Sequence, residues 1–194
     1  MKQASSDGKA REGHFSFNTE SKNGKDYLTD LNFCLDFALE NRYQIMERVE
    51  YSLKKYCGGG VITSSLINRN HNHVELKGDL LIHRKGTTHA EKGMLGVIPG
   101  NMRDGSFIIV GKGNEDSLSS SSHGAGRISS RKQARENTDI KDFQEAMEGV
   151  TAKVDDSTLD ESPFAYKNIL DVMELQKDLV EVIEIVKPLI NIKA

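Results

Sequence analysis

Cysteine is scarce in this chain: Cys34 and Cys57 are the only two among 194 residues. Two such thiols make neither a disulfide framework nor a zinc-ligand spacing. Cys34 falls on a helical face, where it is expected as a small core residue. An excess of charge of either sign is also lacking. There are 26 Lys and Arg against 29 Asp and Glu, a net charge of −3, so global electrostatics do not announce a nucleic-acid binder. Any such contact must come from local clusters such as Arg127, Arg131, Lys132 and Arg135, and a solvated helix face would look the same. No apolar run is long enough to span a bilayer and no signal-peptide pattern is present, so no membrane partner is expected and a reducing cytoplasm fits. No internal repeat is visible, and the serines at 117–122 are the one low-complexity stretch. With 37% hydrophobic content, a chain of this length can bury one ordinary core.

Residues 1–25 are polar and rich in Lys, Ser, Gly and Asn, which reads as an irregular lead-in. From Asp26 to Tyr56 the pattern turns helical. Leu28, Leu31, Leu35, Ala38, Ile45, Val49 and Leu53 recur at three-, four- and seven-residue steps, the stripe of a helix packed on a core. Gly58, Gly59 and Gly60 end it. Beyond them the chain mixes α and β. Leu80–His83 and Ser106–Val110 are short strand candidates, and Arg131–Glu136 and Ile140–Met147 are short helices. A strand near Val150–Val154 follows, then a helix opened by Pro163 and running to about Gln176. The β-branched ending from Val180 to Ile192 reads as strand interrupted by Pro188.

The run Ser119-Ser-Ser-Ser-His123-Gly-Ala-Gly-Arg127 carries the most chemistry. Gly124, Ala125 and Gly126 let backbone approach a ligand closely. Successive N–H groups there can form an anion nest, and Arg127 adds a forked cation suited to phosphate. A neutral imidazole at the mouth of that turn, His123, is a competent nucleophile toward phosphorus. A flexible Ser/Gly linker carrying a surface histidine has the same composition. Asn68-Arg-Asn-His71-Asn-His73-Val-Glu75 is a second cluster. In a strand His71 and His73 share a face; they are open to metal binding or to ordinary hydrogen bonding, and two histidines do not close a metal site. Pro99-Gly-Asn-Met102 is by propensity an ordinary turn. Tyr166 reads as a core or rim aromatic and Lys193 as a solvated tail.

Five segments taken in order change the weight of these readings. They are His83-Arg-Lys-Gly-Thr-Thr-His-Ala90, Val97-Ile-Pro-Gly-Asn-Met-Arg-Asp-Gly-Ser106, the His123 run, Asp160-Glu-Ser-Pro-Phe-Ala-Tyr-Lys167 and the terminal Ile192-Lys-Ala194. Together they resemble the C-terminal half of the RtcB family of RNA-splicing ligases, from about Phe15 to the last residue. The resemblance implies an α+β, mixed α/β fold present as its C-terminal half, with residues 26–194 as that part of the ligase domain. It implies a GTP- and manganese-dependent enzyme of tRNA-splicing or RNA-repair type. Such an enzyme joins RNA 3′-phosphate or 2′,3′-cyclic phosphate ends to 5′-hydroxyl ends through GMP held covalently on His123.

The same resemblance assigns manganese binding to His71 and a GTP contact to Asn72. Pro99, Gly100, Asn101, Met102 and Ser106 become part of a guanylate pocket, with Gly124, Ala125 and Gly126 beside the nucleophile. Tyr166 lies next to the nucleotide and Lys193 contacts guanine. Arg84, Lys85 and Arg127 are phosphate contacts, and His89 stands where the common family form has arginine. His73 receives no role. The family's other metal ligands, an aspartate, a cysteine and further histidines, belong to an N-terminal half. His14, Cys34 and Cys57 do not occupy that ligand context. A partner supplying that half in trans, and an archease-type activator, are therefore expected. The alternative is a non-catalytic fragment or guanylate-binding remnant; a metal-dependent nuclease using His71 and His73 is a weaker third.

Overall fold

The structure, a computed structural model, describes residues 17–59 and 66–193. Most of the expected lead-in, with His14, lies outside those residues, as does Gly60. Contacts divide the chain into two compact units, residues 1–66 with 73–83, and residues 67–72 with 84–194.

The first unit is dominated by helix α1, Lys22–Cys57. It begins four residues before the apolar periodicity does, because Ser21 caps it and accepts from the Gly24 amide at 3.1 Å. Gly58, at φ 66°, ends it in the left-handed conformation. The expected burial of its stripe is not met. Leu28, Leu31, Leu35 and Ala38 are half-buried, while Ile45, Val49 and Leu53 are exposed. Cys34 is exposed rather than in a core. Helical periodicity establishes an amphipathic face but not what covers it. Strands β1 (Asn72–Lys77) and β2 (Leu80–Lys85) pair around Gly78, and within this unit the Tyr27 hydroxyl lies 3.4 Å from His83 Nε2.

The second unit is built on an antiparallel sheet in which β5 (Ser106–Gly111) lies between β4 (Leu95–Pro99) and β8 (Val180–Val186). Alternate residues point inward. Ile98, Phe107 and Ile109 are buried with Ala90, Ala125, Ile169, Met173 and Val180 in one core. Strand β3 (Thr87–His89) pairs antiparallel with β6 (Ser120–Ser122), and β7 (Thr151–Ala152) pairs parallel with β9 (Ile190–Asn191). A second core gathers Met102, Phe143 and Met147 around α3 (Ile140–Ala146).

Helix α2 (Arg131–Asn137) packs against two 3-10 turns, Asp156–Glu161 and Pro163–Ala165. Helix α4 (Ile169–Glu174) follows, capped by Asn168. Pro163 thus opens a short 3-10 turn, and the α-helix starts six residues later. The apolar tail breaks at Pro188 as expected, leaving β8 and β9 on either side. The mixture of helices and small sheets is the α+β class expected from the sequence.

Candidate nucleotide pocket

Strand β6 delivers His123. Its pairing with β3 sets Ser122 opposite Thr87 and Ser120 opposite His89, so the imidazole follows directly on the last paired residue. Arg84 holds this strand from behind. Its guanidinium is buried, with Nε donating to Ser120 Oγ at 3.0 Å and Nη2 to the Leu118 carbonyl at 2.7 Å. Gln176 secures the other side, accepting from the Ser122 amide at 3.0 Å and donating to its hydroxyl at 2.8 Å. Arg84 is thereby engaged with β6, whereas Lys85 is exposed. His89, in β3, places Nε2 3.6 Å from Glu91.

The His123 side chain is exposed, with its ring stacked on that of His71, centroids 5.6 Å apart and planes at 29°. Gly86 lies beneath it at φ +65°, where a Cβ would come within 3.2 Å of the imidazole Cε1. The Gly86 amide donates to the His71 carbonyl at 2.8 Å and to Asn72 Oδ1 at 2.9 Å. His71 and Asn72 therefore belong to the scaffold of the histidine as well as to its surroundings. His73, by contrast, sits in β1 with Nε2 3.8 Å from Glu75.

After His123 the chain turns across the end of β4. The Ala125 amide donates to the Pro99 carbonyl at 3.0 Å, joining the small-residue loop to the Pro-Gly turn. A Cβ on Gly105 (φ +89°) would strike the Val186 carbonyl, so this turn requires glycine there. Asn101 organises the turn, its Oδ1 accepting from the amides of Arg103 and Asp104, both at 2.9 Å, while Nδ2 donates to Asp104 at 2.7 Å. Burial works against the Asp104 charge, but Arg103 and Asn101 hydrogen bonds hold its carboxyl below the usual range. Met102 turns its side chain into the second core.

These segments enclose a cavity of about 660 Å³. Pro99 to Met102, Ser106, His123 to Arg127, Tyr166 and Lys193 all line it, residues that the sequence scatters over nearly a hundred positions. His71, Asn72, Arg84 and Lys85 do not line it. Glu161, Arg131 and Lys187 line it and were missed by sequence reasoning. Glu161 stood inside a quoted motif, and Arg131 within a basic cluster read as a solvated or nucleic-acid face; no local pattern turned either toward a cavity.

The acids of the 3-10 turn hold the cations together. Arg127 donates from Nη2 to the Asp160 carbonyl, from Nε to the Ser129 carbonyl at 3.1 Å and from Nη1 to the Tyr166 hydroxyl at 3.3 Å. Its guanidinium also lies 5.1 Å from the Tyr166 ring centroid. Arg131 bonds Asp160 and Glu161, both at 2.6 Å, and Arg135 reaches Asp160 at 2.8 Å. Three members of the basic cluster, Arg127, Arg131 and Arg135, are thus engaged with these acids. Burial opposes the charge on Asp160, but the Arg131 hydrogen bond and the Arg135 charge outweigh it and lower its pKa. Burial likewise opposes ionisation of Tyr166, raising its pKa together with the bond to Glu161.

The manganese expected at His71 finds no ligand set there among the described residues. A stable site needs several converging ligands, yet among the described residues no group of three potential donors includes His71.

A cavity walled by a Pro-Gly turn and a Gly-Ala-Gly loop, with an exposed imidazole and several cations, has the makings of a site for phosphorylated ligands. Comparison with known proteins gives the family. The family model for tRNA-splicing ligase RtcB matches residues 3–194, and the chain belongs to the RtcB family. The RNA-splicing ligase RtcB of Escherichia coli strain K12 is 37% identical over 177 residues, covering 87% of this chain and 43% of that protein. RNA-splicing ligase RtcB homolog 1 of Entamoeba dispar is 29% identical over 202 residues, covering 88% and 38% respectively. The tRNA-splicing ligase RtcB of Nanoarchaeum equitans is 29% identical over 190 residues, covering 82% and 40%. The chain therefore spans less than half the length of these relatives. No helix among the described residues is long and apolar enough to cross a membrane.

Proposed function

We propose that this chain is the nucleotidyl-transfer half of a GTP-dependent RNA ligase, working with a partner that supplies the remainder of the ligase, in a cytoplasmic setting. The observation that carries the reading is the convergence of Pro99–Met102, Ser106, His123–Arg127, Tyr166 and Lys193 on one cavity, with His123 exposed at its wall. Residues 26–194 are the ligase part and the preceding residues a lead-in.

In the first step a His123 ring nitrogen attacks the α-phosphorus of GTP. An N–P bond forms, the bond to the bridging oxygen breaks, and pyrophosphate leaves. Stacking on His71 and the Gly86 floor restrict the imidazole, so that little orientational freedom is lost on reaction. In the second step an oxygen of the RNA 3′-phosphate attacks the GMP phosphorus and the N–P bond breaks, freeing the imidazole. In the third, the RNA 5′-hydroxyl attacks the activated 3′-phosphorus, its proton passes to solvent, and GMP leaves. A cyclic end must first be opened by water to its 3′-phosphate.

The Pro99 turn and Ser106 would hold the guanosine, with Tyr166 and Lys193 at the base and the Gly124–Gly126 loop near the α-phosphate. Of the three cations expected at phosphate, Arg127 lines the cavity and Lys85 is exposed outside it, while Arg84, buried behind β6, acts by holding that strand in place. Manganese would neutralise phosphate charge; His71 is the ligand this chain offers, and the others must come from the partner. An archease-type activator belongs to the same assembly.

The test is intact-protein mass after incubation with GTP and manganese, with His123→Ala alongside. A GMP increment in the wild type alone supports the first step. If none appears, the measurement is repeated with the N-terminal half of a relative added in trans. Absence there too identifies a guanylate-binding or non-catalytic fragment.

A further inference from the structure

Resting on the nucleotide reading of the cavity, we infer that Glu161 is a specificity-determining residue, selecting guanine over adenine as a pair with Lys193. The argument begins with the backbone. Asp155 caps the 3-10 turn Asp156–Glu161, exchanging hydrogen bonds with Thr158. Ser162, fully buried, follows at once, and Pro163 opens the next turn. Glu161 is thus fixed between two capped or proline-locked turns, and its side chain, 14% exposed, lines the cavity.

Among the described residues that line the cavity Glu161 is the one carboxylate, set among Arg127, Arg131, Lys187 and Lys193. Its two oxygens are used differently. Oε1 accepts from Arg131 Nη1 at 2.6 Å and lies 3.6 Å from Arg127. Oε2 accepts from the Tyr166 hydroxyl at 2.8 Å and from Lys193 Nζ at 3.0 Å. Burial disfavours its charge, but the bonds from Tyr166, Lys193 and Arg131 prevail and keep the carboxyl below its ordinary range.

Lys193 needs such a tether. It lies two residues beyond β9, outside any helix or strand, and its side chain is 38% exposed. A lysine there has large rotamer freedom to lose on meeting a ligand. The bond to Glu161 restrains the ammonium at the cavity wall before any ligand arrives.

The pair then presents a donor beside an acceptor. The ammonium has three N–H donors and spends one on Glu161; the carboxylate retains lone-pair capacity. Guanine offers O6 and N7 as acceptors next to an N–H edge, which is complementary. Adenine offers its exocyclic amine as a donor where guanine has O6, and would set donor against donor. A phosphate beside this carboxylate would be repelled, so the base end of a nucleotide is the part that suits this wall.

The experiment is equilibrium binding of GMP, and of AMP, to the full chain by calorimetry. It compares the wild type with Glu161→Gln, Glu161→Asp, Lys193→Met and the Gln/Met double variant, each checked for its thermal unfolding midpoint. Glu161→Gln keeps the shape and removes the charge. It is expected to lower the GMP preference by about tenfold or more, the scale of one charge-assisted hydrogen bond, while AMP binding holds. Lys193→Met is expected to do the same with no change in folding, the double variant to lose no more than either single one, and Glu161→Asp to recover part of the preference. Equal loss of GMP and AMP binding in Glu161→Gln, or additive losses in the double variant, would overturn the pair. A wild type that binds the two nucleotides alike overturns the guanine selection alone, whereas one that binds neither overturns the nucleotide reading itself, and the role of Glu161 with it.

Discussion

Replacing Gly86 with alanine perturbs His123 without touching it chemically. Gly86 adopts φ +65°, and an L-residue in that region costs about 1–2 kcal/mol. Gly78 adopts φ +60° with open space around its Cβ position, so Gly78→Ala carries the same backbone cost and nothing else. At Gly86 the new methyl would lie 3.2 Å from His123 Cε1 and 3.4 Å from Nδ1, closer than a comfortable contact. The imidazole is exposed, so it can yield by a few tenths of an ångström instead of forcing the sheet apart. Two outcomes are therefore separable. In urea unfolding both variants should lose about 1–2 kcal/mol, agreeing within about 0.5 kcal/mol. In proton NMR the His123 imidazole resonances, assigned with His123→Ala, should move in Gly86→Ala and stay put in Gly78→Ala. Unmoved His123 resonances in Gly86→Ala would falsify the idea that this glycine positions the ring. A loss well beyond that of Gly78→Ala would mean the contact is borne by the backbone pairing and not by the side chain.

Other expectations concern the frame around the cavity. Phe143→Ala, at a fully buried position of the second core, should cost about 3–5 kcal/mol in denaturant unfolding. Ser130 and Gln133 form a capping box at the start of the helix that carries Arg131 and Arg135; Ser130→Ala should cost about 0.5–2 kcal/mol and loosen the Asp160 and Glu161 ion pairs, seen as a weaker salt dependence of stability. The pKa values of Asp160 and Glu161 are both lowered from ordinary values of 3.8 and 4.5. Groups with depressed folded-state values stabilise fully above those ordinary values and lose that contribution as pH falls through the lowered ones. Stability should accordingly be flat from neutrality to about pH 5 and decline below it, and the decline should be shallower in Asp160→Asn.

The glycine and proline signals that shape local backbone were legible in the chain, whereas the capping residues Ser21, Ser130, Asp139, Asp155 and Asn168 were passed over. Gly58 ends α1, Pro188 splits the terminal strands, and the alternation of Ile98, Phe107 and Ile109 with half-exposed neighbours builds the central sheet. These are local effects, acting over a few bonds, and the sequence carries them directly. The resemblance supplied a set of residues for the site, and the structure brings twelve of those residues to one cavity. Periodicity could not say whether the apolar face of α1 is covered, because burial depends on what lies opposite; Phe33 and Phe37 stand 72% and 67% exposed. Nor could it separate the cations that brace the site from those that face a ligand. Arg84 and Arg131 are both arginines beside motif residues, yet one is buried behind β6 and the other closes on Glu161. That division belongs to the tertiary structure, because a carboxylate 30 positions away in the chain becomes a partner only when folding brings it within hydrogen-bonding distance.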